Sequence, residues 1–265
     1  MRIAAWAKQL LGDLRSPAGR WKRARASALR VPRIPSSFLV AYRSLWTTQG
    51  RQRLRLSLYT RFSPAVRTAA AIHRRTTARN TRLAAVVGTF GKTTTTRAVK
   101  AALGLPVPRF SGRNSGAAVP AEVLRIRPRD RHAVIEVGVS GPGQMARYTR
   151  LLRPDIVVVT CIGSEHLSSF GTLDATRDEK AEMVRALSPS GAAILNGDDP
   201  RGLWMRRCTG ARVVTYGFDS ANDVRARAVE LEGLGGARLD VEVAERTYTL
   251  RSRLIGRHMI CAILA

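Results

Sequence analysis

The chain has 265 residues, 45% of them hydrophobic and 24% charged, proportions that exclude a wholly disordered polymer, a collagen-like repeat and a disulfide scaffold. Forty-five Lys and Arg against nineteen Asp and Glu give a net charge of +26, so the field of the protein favours anionic partners such as phosphorylated metabolites, acidic lipid or nucleic acid. Cys161, Cys208 and Cys261 lack Cys-x-x-Cys spacing, no apolar run approaches the roughly 20 residues of a membrane span, and no signal-peptide core is present, so a cytoplasmic protein is expected, one able to rest on a membrane surface.

Residues 1–82 hold 19 of the basic residues and a single acid, Asp13, and therefore carry +18 of the charge. Ile3, Trp6, Leu10, Leu11 and Leu14 recur at helical spacings with Arg2, Lys8 and Arg15 among them, which predicts a short amphipathic helix ended by Ser16-Pro17-Ala18-Gly19. A Pro-punctuated stretch, Val31 to Ser36, precedes two predicted helices rich in Arg and Ala, Ser37 to Gln49 and Pro64 to Thr77. Two readings of this basic arm stay open. Its helices pack on the main domain with a solvated face, or Trp6, Trp21 and Trp46 sit beside cations at an acidic lipid surface; nucleic acid is not expected.

From Leu83 the texture changes to short β-branched runs between helical patterns: Leu83 to Val87, Ala133 to Val137, Asp155 to Cys161, Ala192 to Asn196 and Arg212 to Thr215. That alternation predicts an α/β domain with a largely parallel sheet flanked by helices. After Val224, Leu239 to Val243 and Tyr248 to Leu254 alternate polar with apolar and read as appended antiparallel strands.

The first strand runs into Gly88-Thr89-Phe90-Gly91-Lys92-Thr93-Thr94 and a predicted helix, Thr93 to Leu103. Strand, glycine turn and helix in that order make a phosphate-binding loop: backbone N–H groups curl round an anion, Lys92 reaches the terminal phosphates, and the Thr93 hydroxyl is placed to ligate Mg²⁺. The strict pattern wants Gly where Val86 stands. Glu136 closes the second strand at the edge where α/β sheets bind ligands, either paired with an arginine or bridged to phosphates through Mg²⁺. The third strand leads to Ser164-Glu165-His166. Lys180 follows in a charged helical stretch, and Asn196-Gly197-Asp198-Asp199-Pro200 ends the fourth strand in a polar turn.

In this order the residues resemble the central ATPase domain of the Mur (muramyl) ligase family, nearest its D-alanyl-D-alanine-adding branch, over residues 83–265. The likeness rests on Gly88 to Thr93, Asn114 to Pro120, Glu136-Val-Gly138, Pro142-Gly143, Arg153-Pro-Asp155, Ile162-Gly-x-x-His166-Leu167, Phe170-Gly171, Lys180, Asn196-x-Asp-Asp-Pro200 and Gly256-Arg-His258. It implies an ATP-dependent carboxylate–amine ligase that forms an amide through an acyl phosphate, in peptidoglycan-precursor or related envelope synthesis. ATP and Mg²⁺ would be required, the acceptor would be an anionic carboxylate, in that branch UDP-linked, and an amino acid or dipeptide would give the amine. By resemblance Lys92 stabilises the transferring phosphoryl group, Thr93 and Glu136 hold a first Mg²⁺, and His166 with a carbamylated Lys180 serves a second. Gly88 to Thr94, Asn196 and Asp199 would line the nucleotide.

Three departures qualify the resemblance. Met259 and Ala262 stand where the family offers two asparagines to adenine, residues 1–82 do not match the branch's N-terminal domain, and the chain stops at Ala265 inside the helix expected after His258. The family's C-terminal domain is therefore expected to be absent and the 265-residue chain inactive on its own. Folylpolyglutamate-type or poly-γ-glutamate-type ligases, and a non-catalytic nucleotide-binding module, are the alternatives.

Overall fold

The computed structural model describes residues 64–107, 116, 118–165, 167–254 and 256–265. The predicted amphipathic helix near the N-terminus, the helix Ser37 to Gln49, the tryptophans Trp6, Trp21 and Trp46, Asn114 and His166 lie outside the described residues. A helix over residues 64–75, α1, opens the described part, two residues shorter than the predicted Pro64 to Thr77.

Five strands form the parallel part of the sheet: β1 (Arg82–Val87), β2 (His132–Glu136), β3 (Ile156–Val159), β4 (Ala192–Asn196) and β5 (Arg212–Gly217). They are followed by β6 (Val224–Leu231), β7 (Ala237–Val243) and β8 (Arg246–Ser252), and the eight lie in the order β2-β1-β3-β4-β5-β6-β7-β8. β6 starts parallel, pairing Val224 and Arg225 with Tyr216 and Gly217, and then turns the sheet antiparallel along β7 and β8. The sequence reading placed the antiparallel extension correctly but did not resolve β6 as a separate strand. Its third strand was too long. β3 ends at Val159, because Thr160 to Gly163 turn out to form a loop at the ligand edge.

Alternation explains the two-sided core. Leu83, Ala85 and Val87 of β1 pack on one face with Val119, Met145, Leu152, Met183 and Val184 of the helices, while Ala84 and Val86 face the other side with Val99. The helices are α2 (Lys92–Ala102), α3 (Ala118–Leu124), α4 (Gln144–Leu152), the single turn α5 (Leu167–Phe170), α6 (Leu173–Arg185), α7 (Pro200–Trp204) and α8 (Arg257–Leu264). Ile260 and Leu264 of α8 cover Tyr216, Leu239 and Val241.

A boundary at residue 82 would assign α1 to the arm, yet Ala70 and Ala78 are fully buried in the main core. Arg74, 6% exposed, donates to the carbonyls of Leu152, Arg153 and Ala78 and pairs with Asp155 at 3.4 Å. These groups join α1 to the end of α4 and the start of β3, so α1 is part of the sheet's helical cover. Ala70 and Arg74, four residues apart, mark the buried face of α1, and buried Ala78 follows in the turn beyond it. Burial pulls the Arg74 guanidinium down from its ordinary value while Asp155 holds it up.

Candidate active site

β1 delivers the chain to the C-terminal edge of the sheet beside β3, where the strand order reverses. A Cβ on Gly88 would stand 1.9 Å from Thr160 Oγ1, and the residue holds φ at 140°, so both space and backbone require glycine. Gly91, at φ 81°, caps α2 in the left-handed region. Among the described residues no side chain caps that helix and its first turn has no acid, so the positive end of its dipole is suited to an anion.

The loop is fastened to its neighbours. Thr89 N donates to Cys161 O at 2.6 Å, and Thr89 Oγ1 accepts from Gly163 N and from Lys180 Nζ, both at 2.9 Å. Lys92, 8% exposed, donates to Thr89 O and pairs with Glu165 at 3.4 Å. Thr93 Oγ1 donates to Glu136 Oε1 at 3.0 Å across from β2. Lys92, Thr93, Glu136 and Lys180, spread over 89 positions of sequence, are thus brought to one edge.

Lys180 is 4% exposed on α6. Burial, and secondarily the nearby Lys92 charge, lower its pKa to about 8, against a smaller upward pull from Glu165 and Cys161. A minor fraction of the amine, roughly a tenth to a fifth, is neutral at pH 7 to 7.4, far more than an unperturbed lysine achieves. The preceding residue has a different task. Glu179 accepts from Gly143 N at 2.8 Å and Met145 N at 2.7 Å, capping α4 and fixing the Pro142-Gly143 turn to the helix that carries Lys180.

Asn196, also buried, accepts from Asp198 N through Oδ1. Asp199 caps α7 through Arg201 N at 3.0 Å and accepts from Ile162 N at 2.7 Å, tying the β4 turn to the loop after β3. Asp198 accepts from Phe218 N, Asp219 N and Asn222 Nδ2, closing the turn onto the end of β5. Phe90 is 59% exposed, with its ring against Gly163, where an added Cβ would lie 2.6 Å from Phe90 Cε2.

The chemistry of the donors can be tested against nucleotide phosphate and Mg²⁺. Thr93 and Glu136 supply two hard oxygens at hydrogen-bond separation, the share a protein gives to Mg²⁺ when phosphates and water fill the rest of the octahedron. Among the described residues no three His, Cys, Asp or Glu side chains converge on a metal-sized centre. Both groups fit.

Sequence reasoning named Thr89 as a nucleotide contact but missed its hydroxyl as the hub between Gly163 and Lys180. It also missed Glu165 beside Lys92 and the cap made by Glu179. The carboxylate of Glu179 lay in a charged run with nothing local to tell it from a solvated one.

Comparison with known proteins gives a consistent picture. The family model for the Mur ligase middle domain matches residues 86–265. UDP-N-acetylmuramoyl-tripeptide–D-alanyl-D-alanine ligase of Mycobacterium tuberculosis is 33% identical over 178 residues, covering 66% of this chain and 35% of that protein. The Bacillus subtilis enzyme of the same name is 29% identical over 188 residues, 70% of this chain and 40% of the relative. The chain therefore spans between a third and a half of the length of these relatives. Among solved structures, MurF from Acinetobacter baumannii superposes with a TM-score of 0.69 at 24% identity, over 76% of this chain and 45% of that one. The MurF ligase of Thermotoga maritima in complex with ADP gives 0.67 at 21% identity, over 77% and 47%. At these identities the structural likeness is one of fold.

Proposed function

The chain belongs to the Mur ligase family, through its middle domain, and we propose that it is the ATP-binding part of an ATP-dependent ligase joining a carboxylate to an amine in peptidoglycan-precursor synthesis. The observation that carries the reading is the convergence of Lys92, Thr93, Glu136 and Lys180 on the phosphate-binding loop, with Thr93 and Glu136 3.0 Å apart and Lys180 2.9 Å from Thr89. The relatives' names suggest a UDP-linked muramoyl peptide as acceptor and D-alanyl-D-alanine as amine donor. The domain reaches back from residue 83 to include α1.

Lys92 turns from Thr89 O and Glu165 toward the terminal phosphates and offsets charge on the γ-phosphoryl group as it leaves ADP and passes to the acceptor carboxylate. The N–H groups at the start of α2 hold the phosphates in line. Thr93 and Glu136 would hold Mg²⁺, which supplies charge neutralisation between phosphate oxygens when bound. The amine then displaces phosphate from the acyl phosphate, leaving an amide. Gly88, Phe90, Gly91 and Thr94 shape the rest of the cradle, and Asn196 and Asp199 border the nucleotide at the β4 edge.

Lys180, part neutral, is suited to add CO₂: its nitrogen lone pair forms the N–C bond, the amine proton leaves to water, and a carboxylate replaces a cation. With His166, which lies outside the described residues, it would serve a second Mg²⁺. Calorimetric titration with MgATP tests the core of the proposal. Saturable binding is expected in the parent and binding weakened about 30-fold or more in Lys92→Ala; equal affinity in the two would overturn it.

A further inference from the structure

A second anion-directed feature lies between α1 and α4. The two helices run alongside in the same sense, since Arg74 reaches Leu152 O and Arg153 O at the end of α4 and Arg75 donates to Arg150 O. The groove between them has a volume of about 490 Å³ and is lined by Arg67 and Arg75 from α1 and by Arg147 and Arg150 from α4. Arg67, Ala71 and Arg75 recur every four residues, so they share one face of α1, and Gln144, Arg147, Tyr148 and Leu151 share one face of α4. Ala71, Tyr148 and Leu151 contribute apolar surface beneath the four guanidinium groups.

No acidic residue lines this groove among the described residues. Several other arginines of the described helices have acidic partners: Arg74 with Asp155, Arg177 with Asp174 and Asp178, Arg185 with Glu182. Four like charges gathered with no acid beside them among the described residues repel one another, a cost that a surface serving only to seal two helices would reduce by interspersing acids. Guanidinium forks matched to an apolar floor are complementary to an elongated body bearing several phosphate or carboxylate groups. Two turns of helix separate Arg67 from Arg75, so the charges extend along about 12 Å.

The groove also has a direction. Ser140 and Gln144, hydrogen-bonded to each other, line the end nearest the ligand edge, four and eight residues beyond Glu136. Gly143 and Met145, on either side of Gln144, are held by Glu179, the neighbour of Lys180. One end of the groove is therefore anchored to the helix that closes over the phosphate-binding loop.

We infer that the α1–α4 groove binds the remote phosphate or carboxylate groups of the acceptor substrate while its reacting carboxylate lies at the phosphate-binding loop. The identity of the ligand as acceptor rests on the ligase reading; the anion site itself does not. Inorganic pyrophosphate is the probe, titrated calorimetrically into the Lys92→Ala chain so that the loop's own share of the binding is reduced. Binding should persist there and weaken about tenfold or more on adding Arg67→Ala with Arg147→Ala. The control pair Arg206→Ala with Arg207→Ala, exposed arginines outside the groove, should leave it within about twofold.

No pyrophosphate binding in Lys92→Ala, or equal weakening by both pairs, overturns the groove. Circular dichroism of each variant checks that the fold is intact, and Arg147→Gln, which keeps much of the side chain's length without its charge, serves if the alanine pair unfolds. Sedimentation with phosphatidylglycerol vesicles that depends on Arg67 and Arg147, without pyrophosphate binding, would replace the small anion by a membrane surface and also overturns it. Titration of the parent with MgATP separates the two readings: failure there removes the ligase proposal and leaves a pyrophosphate result standing, while MgATP binding without pyrophosphate binding removes the groove alone.

Discussion

Lys92 and Lys180 are almost wholly buried, whereas Arg67, Arg75, Arg147 and Arg150 lie at the surface. At the phosphate-binding loop, positive charge is held in a water-poor setting by fixed backbone N–H groups and by ammonium groups that neighbouring chain segments orient. Each contact there is strong because reorganisation has already been met in folding. In the α1–α4 groove, charge sits on long side chains in water and comes from number rather than burial. If both sites bind anions as proposed, one recognises them by position and the other by field, and the two should respond differently to substitution, pH and salt.

The comparison predicts the largest effect at Lys92. Removing a buried, charge-assisted contact costs about 2–5 kcal/mol, so Lys92→Ala should weaken MgATP binding about 30-fold or more. A loss below threefold by calorimetry would place Lys92 with the exposed arginines rather than apart from them.

Lys180 should reveal itself through stability. Its folded pKa of about 8 lies below the unfolded value of 10.5, so between those limits the unfolded chain binds the extra proton and the native state gains stability as pH rises. Below about pH 8 the full cost of the buried ammonium is present, about 3 kcal/mol from the shift. Lys180→Met should accordingly raise stability at pH 7 while removing the rise from pH 8 to 10.5, as read by urea unfolding across pH. A mutant with the parent's pH profile would sink the assignment. Addition of bicarbonate offers a second readout: the intact mass of the chain should gain CO₂ at Lys180 and not in Lys180→Met.

α1 supplies a prediction of intermediate size. Arg74→Met leaves the carbonyls of Leu152, Arg153 and Ala78 without their guanidinium partner and should cost about 1–3 kcal/mol. A chain beginning at Arg79 loses Ala70 and Ala78 from the core as well and should melt lower than one beginning at Pro64. Equal melting temperatures for these two chains would return α1 to the arm.

What was readable in sequence divides along the same line. Gly88 to Thr93 is contiguous, and its strand, turn and helix are short-range physics, so loop and parallel sheet were both legible. Glu136 stood out in sequence because a carboxylate at the end of an apolar strand is costly without a task, and the structure sets it beside Thr93. The place of Lys180 over Thr89, 91 residues away, follows from tertiary packing, and in sequence only family likeness suggested a role for it. The groove was illegible for a further reason. Its arginines come from residues 67–150 and are diluted by a chain rich in arginine throughout, so composition could report the sign of the charge but not where it is concentrated. Asp199 was read as a ligand-edge acid, and the structure adds a framework duty: Asp199→Ala frees Ile162 N and the α7 cap and should cost about 1 kcal/mol in unfolding experiments.

Salt gives the smallest effect and the sharpest separation. Exposed charges more than a Debye length apart are screened, and that length falls from about 10 Å at 0.1 M to about 3 Å at 1 M. The guanidinium groups of the groove span about 12 Å of helix and act through water, so pyrophosphate affinity in the Lys92→Ala chain should fall steeply with added KCl. MgATP at the loop of the parent chain meets Lys92, 8% exposed, and backbone N–H groups that no salt ion can reach once the phosphates are seated, so its affinity should fall less over the same range. The paired substitution Arg67→Ala and Arg147→Ala should change MgATP affinity by less than about twofold while flattening the salt dependence of pyrophosphate binding. Two parallel salt slopes, or a slope for MgATP that flattens with the groove variants, would mean that loop and groove act as one continuous electrostatic surface, and the distinction between recognition by position and recognition by field would fail for this molecule.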